Sequence, residues 1–316
     1  MVAEEHPARV AVSTQAPSPQ PPPARGGGGE RTALPLPSRE GGRGRGRSEP
    51  VFLLGPATIL MLLTLIAPLA LLARDSLNRF DATELMIAAI TPANYLRFFN
   101  DPFYWNVLLT TIRVSVIVTA ICMLLGLPMA WRLARSTSRW KSAFVVLMVL
   151  PLFIGSTTRT AGWMILFAHG GMLDMLTGLN LMYAEPAVIA GVIAINLPFT
   201  VLTMQSVFEG IDPRLEEAAA SMGAPPSRAF WRVIFPLALP GIAIAAVLCF
   251  ILCMNAFATP VLLGGPRFQM MAPLLYWAFN NDNNWPFAAS IAFILMTTTL
   301  LLTAAASHLV PRRYRS

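Results

Sequence analysis

The chain holds a single lysine, three histidines and three cysteines, and only 12% of its 316 residues are charged. A P-loop needs a lysine that follows a glycine and reaches the phosphates. Lys141 instead follows Trp140, so this chain has no P-loop with which to hydrolyse a nucleotide. His6, His169 and His308 lie in the N-terminal tail, near a loop and at the C-terminal end, which gives neither an HExxH zinc site nor a His-based triad. Cys122, Cys249 and Cys253 all fall inside apolar runs. They read as small packing residues, not as a disulfide framework or a metal site. With no clustered acid, base or metal set, no covalent chemistry is expected.

Apolar residues dominate what is there. They make up 55% of the chain, far more than a soluble domain carries. A bilayer span needs about 20 such residues, and six runs qualify: Val51 to Ala73, Trp105 to Trp131, Ala143 to Ala168, Ala187 to Phe208, Ala238 to Leu262 and Phe287 to Val310. The fold class is therefore all-α, a polytopic membrane protein with six transmembrane helices. The net charge of +7 follows topology, so no nucleic-acid partner is implied. Arg39, Arg43, Arg45 and Arg47 precede the first span, and Arg132, Arg135, Arg139 and Lys141 lie between the second and third. Arg214, Arg228 and Arg232 lie between the fourth and fifth, and Arg312, Arg313 and Arg315 follow the sixth. Alternating spans put all of these on one side, leaving Arg74, Arg79, Arg97 and Arg267 on the other. The positive-inside rule then places both termini in the cytoplasm.

Residues 1–50 are rich in Pro, Gly and Arg and cannot bury enough apolar surface to offset their ordering entropy. Disorder is expected there, with a proline-rich ligand or an arginine patch on anionic lipid as the functional alternatives. Residues 51–310 form the membrane domain and 311–316 a basic terminus. Pro151, Gly155 and Gly162 should break or kink the third span, and such breaks at membrane depth are tolerated where the freed backbone lines a cavity or packs in protein.

The polar interruption between the fourth and fifth spans, residues 212–235, is the most specific segment. Asp212 can cap a short helix and Pro213 suits its first turn. Leu215, Ala218, Ala219 and Met222 then share one narrow apolar face, and Gly223 can end the helix in a left-handed conformation. Small alanines permit close approach by a partner, and Glu217 offers a charge to pair. On physical grounds both an ordinary interspan hairpin and a helix-in-groove docking element remain open.

Glu217-Ala218-Ala219 with Gly223, followed by Val233-x-Phe235-Pro236, resembles the EAA loop of the permeases of ABC importers, whose usual step is Ile-x-Leu-Pro. Over roughly residues 51 to 310 the chain is most similar to the spermidine/putrescine type. That similarity includes Asp101 to Trp105, Arg159 to Trp163, Thr259 to Pro266 and Trp285-Pro286-Phe287. His169-Gly170-Gly171 departs from the Arg-Asn-Gly that relatives often carry. The resemblance implies a type I importer fold and a loop, 212–235, that seats in a cytosolic ATPase subunit. It also implies a second permease, an external solute-binding protein and a polyamine or similar small solute. No cofactor is expected on this chain, ATP and Mg being bound by the ATPase.

Two arginines lie within spans. Burying one near the bilayer centre costs about 2.5 to 3.5 kcal/mol on insertion scales, so each needs a partner or water. Arg113 lies near the external end of its span and is expected to snorkel. Arg159 is deeper and is expected to hold the broken third span by bonding freed carbonyls. Asn196 and Asn255 are the neutral polar candidates for a transport path. A secondary carrier, the rival class, would place acidic residues inside the spans, whereas the acidic residues fall in loops and tail.

Overall fold

A computed structural model of the chain describes residues 49–178, 181–266 and 268–309. The expected disorder of the tail, its arginines, Arg267 and the basic terminus therefore lie outside the described residues, apart from the last two positions of the tail. Among the described residues the only regular structure is helical, apart from one isolated antiparallel bridge between Arg79 and Ile87. In hydrocarbon each backbone amide must find its partner within its own segment, which is why apolar runs of this length become helices.

The elements in chain order are α1 Glu49–Ser76, α2 Ala93–Asn100, α3 Pro102–Arg135, α4 Trp140–Val149, α5 Ser156–Phe167 and α6 Met172–Thr177. They continue with α7 Glu185–Glu209, α8 Arg214–Ser221, α9 Pro226–Ala229, α10 Phe235–Met254, α11 Met271–Asn280 and α12 Trp285–Leu309. Five stretches are long and apolar enough to cross a membrane, within α1, α3, α7, α9 to α10 and α12. A sixth span arises if α4 and α5, bent by 99° at their junction, count as one.

That bend is where the sequence locates a breaker. Pro151 lies in a 3-10 turn, Leu150–Phe153, Ile154 leaves the helical region, and Gly155 precedes α5. Gly162, by contrast, sits inside an unbroken α5, because a lone glycine weakens a helix without removing a hydrogen bond. The fifth span also needs correction. It does not run from Ala238 to Leu262 but ends at Met254, and the chain from Asn255 turns into a single π-turn, Pro260–Gly264. Its start is earlier than expected, since Pro236 falls in the first turn and the inner Pro240 is carried without ending the helix. The short helices α2, α6 and α11 lie in connections that periodicity leaves blank.

Three apolar clusters are stacked along α3. At one end Phe98, Tyr104, Leu108, Met271, Phe287 and Ile291 join α2, α3, α11 and α12. In the middle Val114, Val118, Cys122, Val188, Val192 and Cys249 join α3, α7 and α10. At the far end Ala130, Val201, Met204, Phe208, Phe230 and Ile234 carry the same three helices down to the π-turn Phe230–Ile234. The cysteines are thus free and buried within the core. Lipid supplies no hydrophobic drive between helices, so close approach of small residues matters more. Gly241 lets α10 press on α7, where a Cβ would stand 2.4 Å from a Val207 methyl. The span within α1, Thr58–Ser76, buries none of its apolar stretch against the described chain.

Beyond α1 the connection to α3 is ordered by side chains. Asn94 donates to the carbonyls of Ser76 and Asn78, each at 2.9 Å, tying α2 to the end of α1. Asp81 accepts from the amides of Thr83 and Glu84, and these bonds hold its carboxyl below the usual carboxylate range. Asp101 caps α3 through the amide of Phe103 at 2.9 Å. Trp105 donates its indole N–H to the carbonyl of Phe99.

Candidate coupling element and transport path

α8 forms as its sequence dictates. The carboxylate of Asp212 accepts from the amide of Arg214 at 2.9 Å, and Pro213 is already helical at φ −59°. At the other end Gly223 adopts φ +81°. Its amide bonds to the Ala220 carbonyl and that of Ala224 to the Ala219 carbonyl, the paired reverse bonds of a Schellman ending. Pro226 then opens α9.

The four-residue apolar face does not stay together. Ala219 is buried within the chain, against the turns that follow α8, because α8 folds back on α9 and the π-turn. Leu215, Ala218, Met222 and the acidic Glu217 remain exposed, Met222 at 83%. An exposed methionine beside an exposed leucine on a short polar helix is a surface with apolar content and no occupant among the described residues.

Glu216, which the EAA pattern passes over in favour of Glu217, proves to be the inward acid. Its Oε1 accepts from Nε of Arg135, the last residue of α3, at 2.7 Å, with both side chains largely buried. A second pair, Lys141 to Glu209 at 2.8 Å, joins the start of α4 to the end of α7. Phe230 completes the attachment: its ring lies 4.6 Å from Trp131 of α3 and 6.2 Å from Phe208 of α7.

The intramembrane arginines differ from expectation. Arg113 does not merely snorkel. It pairs with Glu185 at the start of α7, 2.7 Å away, although its side chain is 57% exposed. Arg159 bonds no freed carbonyl. Its Nε and Nη1 are buried without a partner among the described residues, although the break at Leu150–Gly155 lies just before it. At this level the hydroxyls of Thr160 and Thr259, each from a segment that carries the family resemblance, meet at 3.2 Å and join α5 to the turn after α10.

Asn196 and Asn255 are brought together. Both line a cavity of about 250 Å³ with Ser156, Thr157 and Thr259 among its walls. Each amide nitrogen donates to its own helix, Asn196 to the Val192 carbonyl at 2.9 Å and Asn255 to the Ile251 carbonyl at 2.8 Å. A carbonyl cannot serve as donor, so these bonds use the amide nitrogens and leave each side-chain oxygen available to accept. None of the cavity's lining residues carries a formal charge.

Residues 122–315 match the family described as "Binding-protein-dependent transport system inner membrane component". The spermidine/putrescine transport system permease protein PotB of Escherichia coli is 31% identical over 265 residues, covering 80% of this chain and 96% of that protein. The Haemophilus influenzae protein of the same description is 32% identical over 265 residues, covering 80% and 92%. Among solved structures, a bacterial alginate ABC transporter in complex with alginate pentasaccharide-bound periplasmic protein has a chain that superposes with a TM-score of 0.72. It is 16% identical, with 85% of this chain and 96% of that one covered, so it speaks to the fold. This chain belongs to the family of binding-protein-dependent inner-membrane components. It is a multi-pass permease subunit of an ABC importer, with a transport function in place of a catalytic one.

Proposed function

We propose that this permease carries a polyamine, spermidine or putrescine, through the inner membrane, powered by a separate ATPase subunit that grips α8. The observation that carries the ATPase reading is α8 itself: a capped polar helix with Leu215, Glu217, Ala218 and Met222 exposed and Gly223 closing it, while Ala219 serves internal packing. Helix-in-groove recognition uses a short run of apolar anchors of this kind. ATP and Mg bind to that partner, and this chain needs no cofactor of its own. A second permease completes the path, and an external binding protein delivers the solute. The excess of arginines at the α8 end, Arg132, Arg135, Arg139, Arg214, Arg228 and Arg232, favours the cytoplasm for that end and for both termini.

The polyamine reading is supported by the relatives and by the chemistry of the cavity. An ammonium group brings only donors, and the walls offer acceptors: the side-chain oxygens of Asn196 and Asn255 with the hydroxyls of Ser156 and Thr157. Neutral acceptors hold a cation without the strong attraction of a carboxylate, which suits a site that must also let go. Arg113 acts as a structural charge through its pairing with Glu185. Cells lacking this chain should lose uptake of labelled spermidine and regain it with the wild-type gene. Undiminished spermidine uptake, together with loss of another solute, would overturn the cargo assignment.

A further inference from the structure

We infer that the Arg135–Glu216 ion pair is the strut through which movement of α8 reaches the membrane helices, which makes Arg135 and Glu216 positioning residues for transport. The inference rests on the docking reading of α8 given above. α8 has few other holds on the bundle: among the described residues it packs on α9 and the π-turn, with Ala219 as its buried residue. Glu216 projects from its first turn and meets Arg135 at 2.7 Å, with side-chain exposures of 25% for Glu216 and 18% for Arg135. Little solvent screens such a pair, unlike Arg113 with Glu185, which is far more exposed. Arg135 is the last residue of α3, the helix that runs through all three core clusters and packs most extensively on α7. A force on Glu216 is therefore delivered to the end of the most central helix in the bundle.

The contact is also incomplete in a way that suits a moving joint. Arg135 uses Nε, while its Nη2 is buried with no partner among the described residues. One turn earlier on α3, the indole N–H of Trp131 is likewise buried and unpaired among the described residues, against Phe230. Buried donors without acceptors are costly, and a guanidinium can meet a carboxylate through two parallel bonds. A small displacement of α8 along α3 would let Glu216 engage Nη2 as well. The joint thus has a second, better-satisfied arrangement within reach, as a two-state coupling element requires. Glu217, on the exposed side, takes the partner, and Glu216 takes the chain's own α3.

The test uses the complete importer in detergent or liposomes and a readout independent of the cargo. A thiol is introduced as Asn255→Cys at the cavity, with the native cysteines buried, and its labelling rate is compared with and without nucleotide. With the strut intact, nucleotide should change the labelling rate by about tenfold, an ordinary magnitude for coupling between sites. Arg135→Glu or Glu216→Arg should bring that ratio to near one while the ATPase still co-purifies. The double reversal should restore it. If the reversals do not accumulate in the membrane, Glu216→Gln and Arg135→Lys carry the test, with the ratio reduced in both. A nucleotide response unchanged in these variants would overturn the strut. So would loss of the ATPase in Glu216→Arg that the double reversal does not recover, since Glu216 would then be a docking residue. Retention of the ATPase by Glu217→Lys would instead overturn the docking reading and leave the strut without its source of motion.

Discussion

Gly241 and Gly162 are both glycines inside membrane helices, and their surroundings make opposite demands. A Cβ at Gly241 would lie 2.4 and 2.5 Å from the two Val207 methyls, whereas one at Gly162 meets nothing within 4 Å. Gly241→Ala should therefore cost about 1 to 3 kcal/mol through overpacking, and Val207→Ala in the same chain should recover most of it. Gly162→Ala should leave the thermal midpoint in detergent unchanged or raise it, because alanine is the better helix former. A lower midpoint for Gly162→Ala would mean that this face of α5 is covered by another chain. Residue roles of this kind were unevenly legible. Gly223 announced its left-handed φ because a capped helix had to stop there, but nothing in the spacing of Gly241 names Val207 as its neighbour. The same holds for Glu216 and Glu217. They are adjacent and chemically alike, and the direction each faces is set by how α8 folds back on α9.

At the scale of elements, α8 depends on its two ends, since eight residues are too few to sustain a helix alone. The Gly223 conformation, φ +81°, costs a non-glycine residue roughly 1 to 2 kcal/mol, less for asparagine than for a β-branched side chain. Gly223→Val should therefore open the segment 212–226 to proteolysis in detergent, and Gly223→Asn should resist nearly as well as the wild type. Equal cleavage of both would show that the helix ending does not hold α8. Long apolar helices were legible to within a few residues because a single requirement, satisfied backbone bonds in lipid, decides them. The break between α4 and α5 was legible for the same reason, through Pro151 and Gly155. The end of α10 was not. Asn255 and Pro260 interrupt the apolar run past Met254, but Pro240 is carried within α10, so neither alone marks the end, and packing around the buried Thr259 and Leu263 is supplied only by the folded bundle.

For the whole molecule, one helix, α3, carries all three core clusters and receives the Arg135–Glu216 pair at its end, while the cavity with Asn196 and Asn255 lies between α5, α7 and the turn after α10. On the proposed function, α8 is the lever at one end of these helices and the polar cavity among them is the path. The EAA pattern made the capped helix α8 and its ending at Gly223 legible from sequence alone, since it compresses capping, a small-residue face and a helix ending into a few positions. The cavity was legible only as two asparagines, because their meeting depends on how α7 and the end of α10 pack. The most direct measurement of the central claim is co-purification of the ATPase subunit with the full-length chain extracted in mild detergent, wild type against Glu217→Lys. The ATPase should accompany the wild type and be lost from Glu217→Lys while the variant still folds and reaches the membrane. Equal recovery of the ATPase with both chains would contradict the assignment of α8 as the seat of the motor.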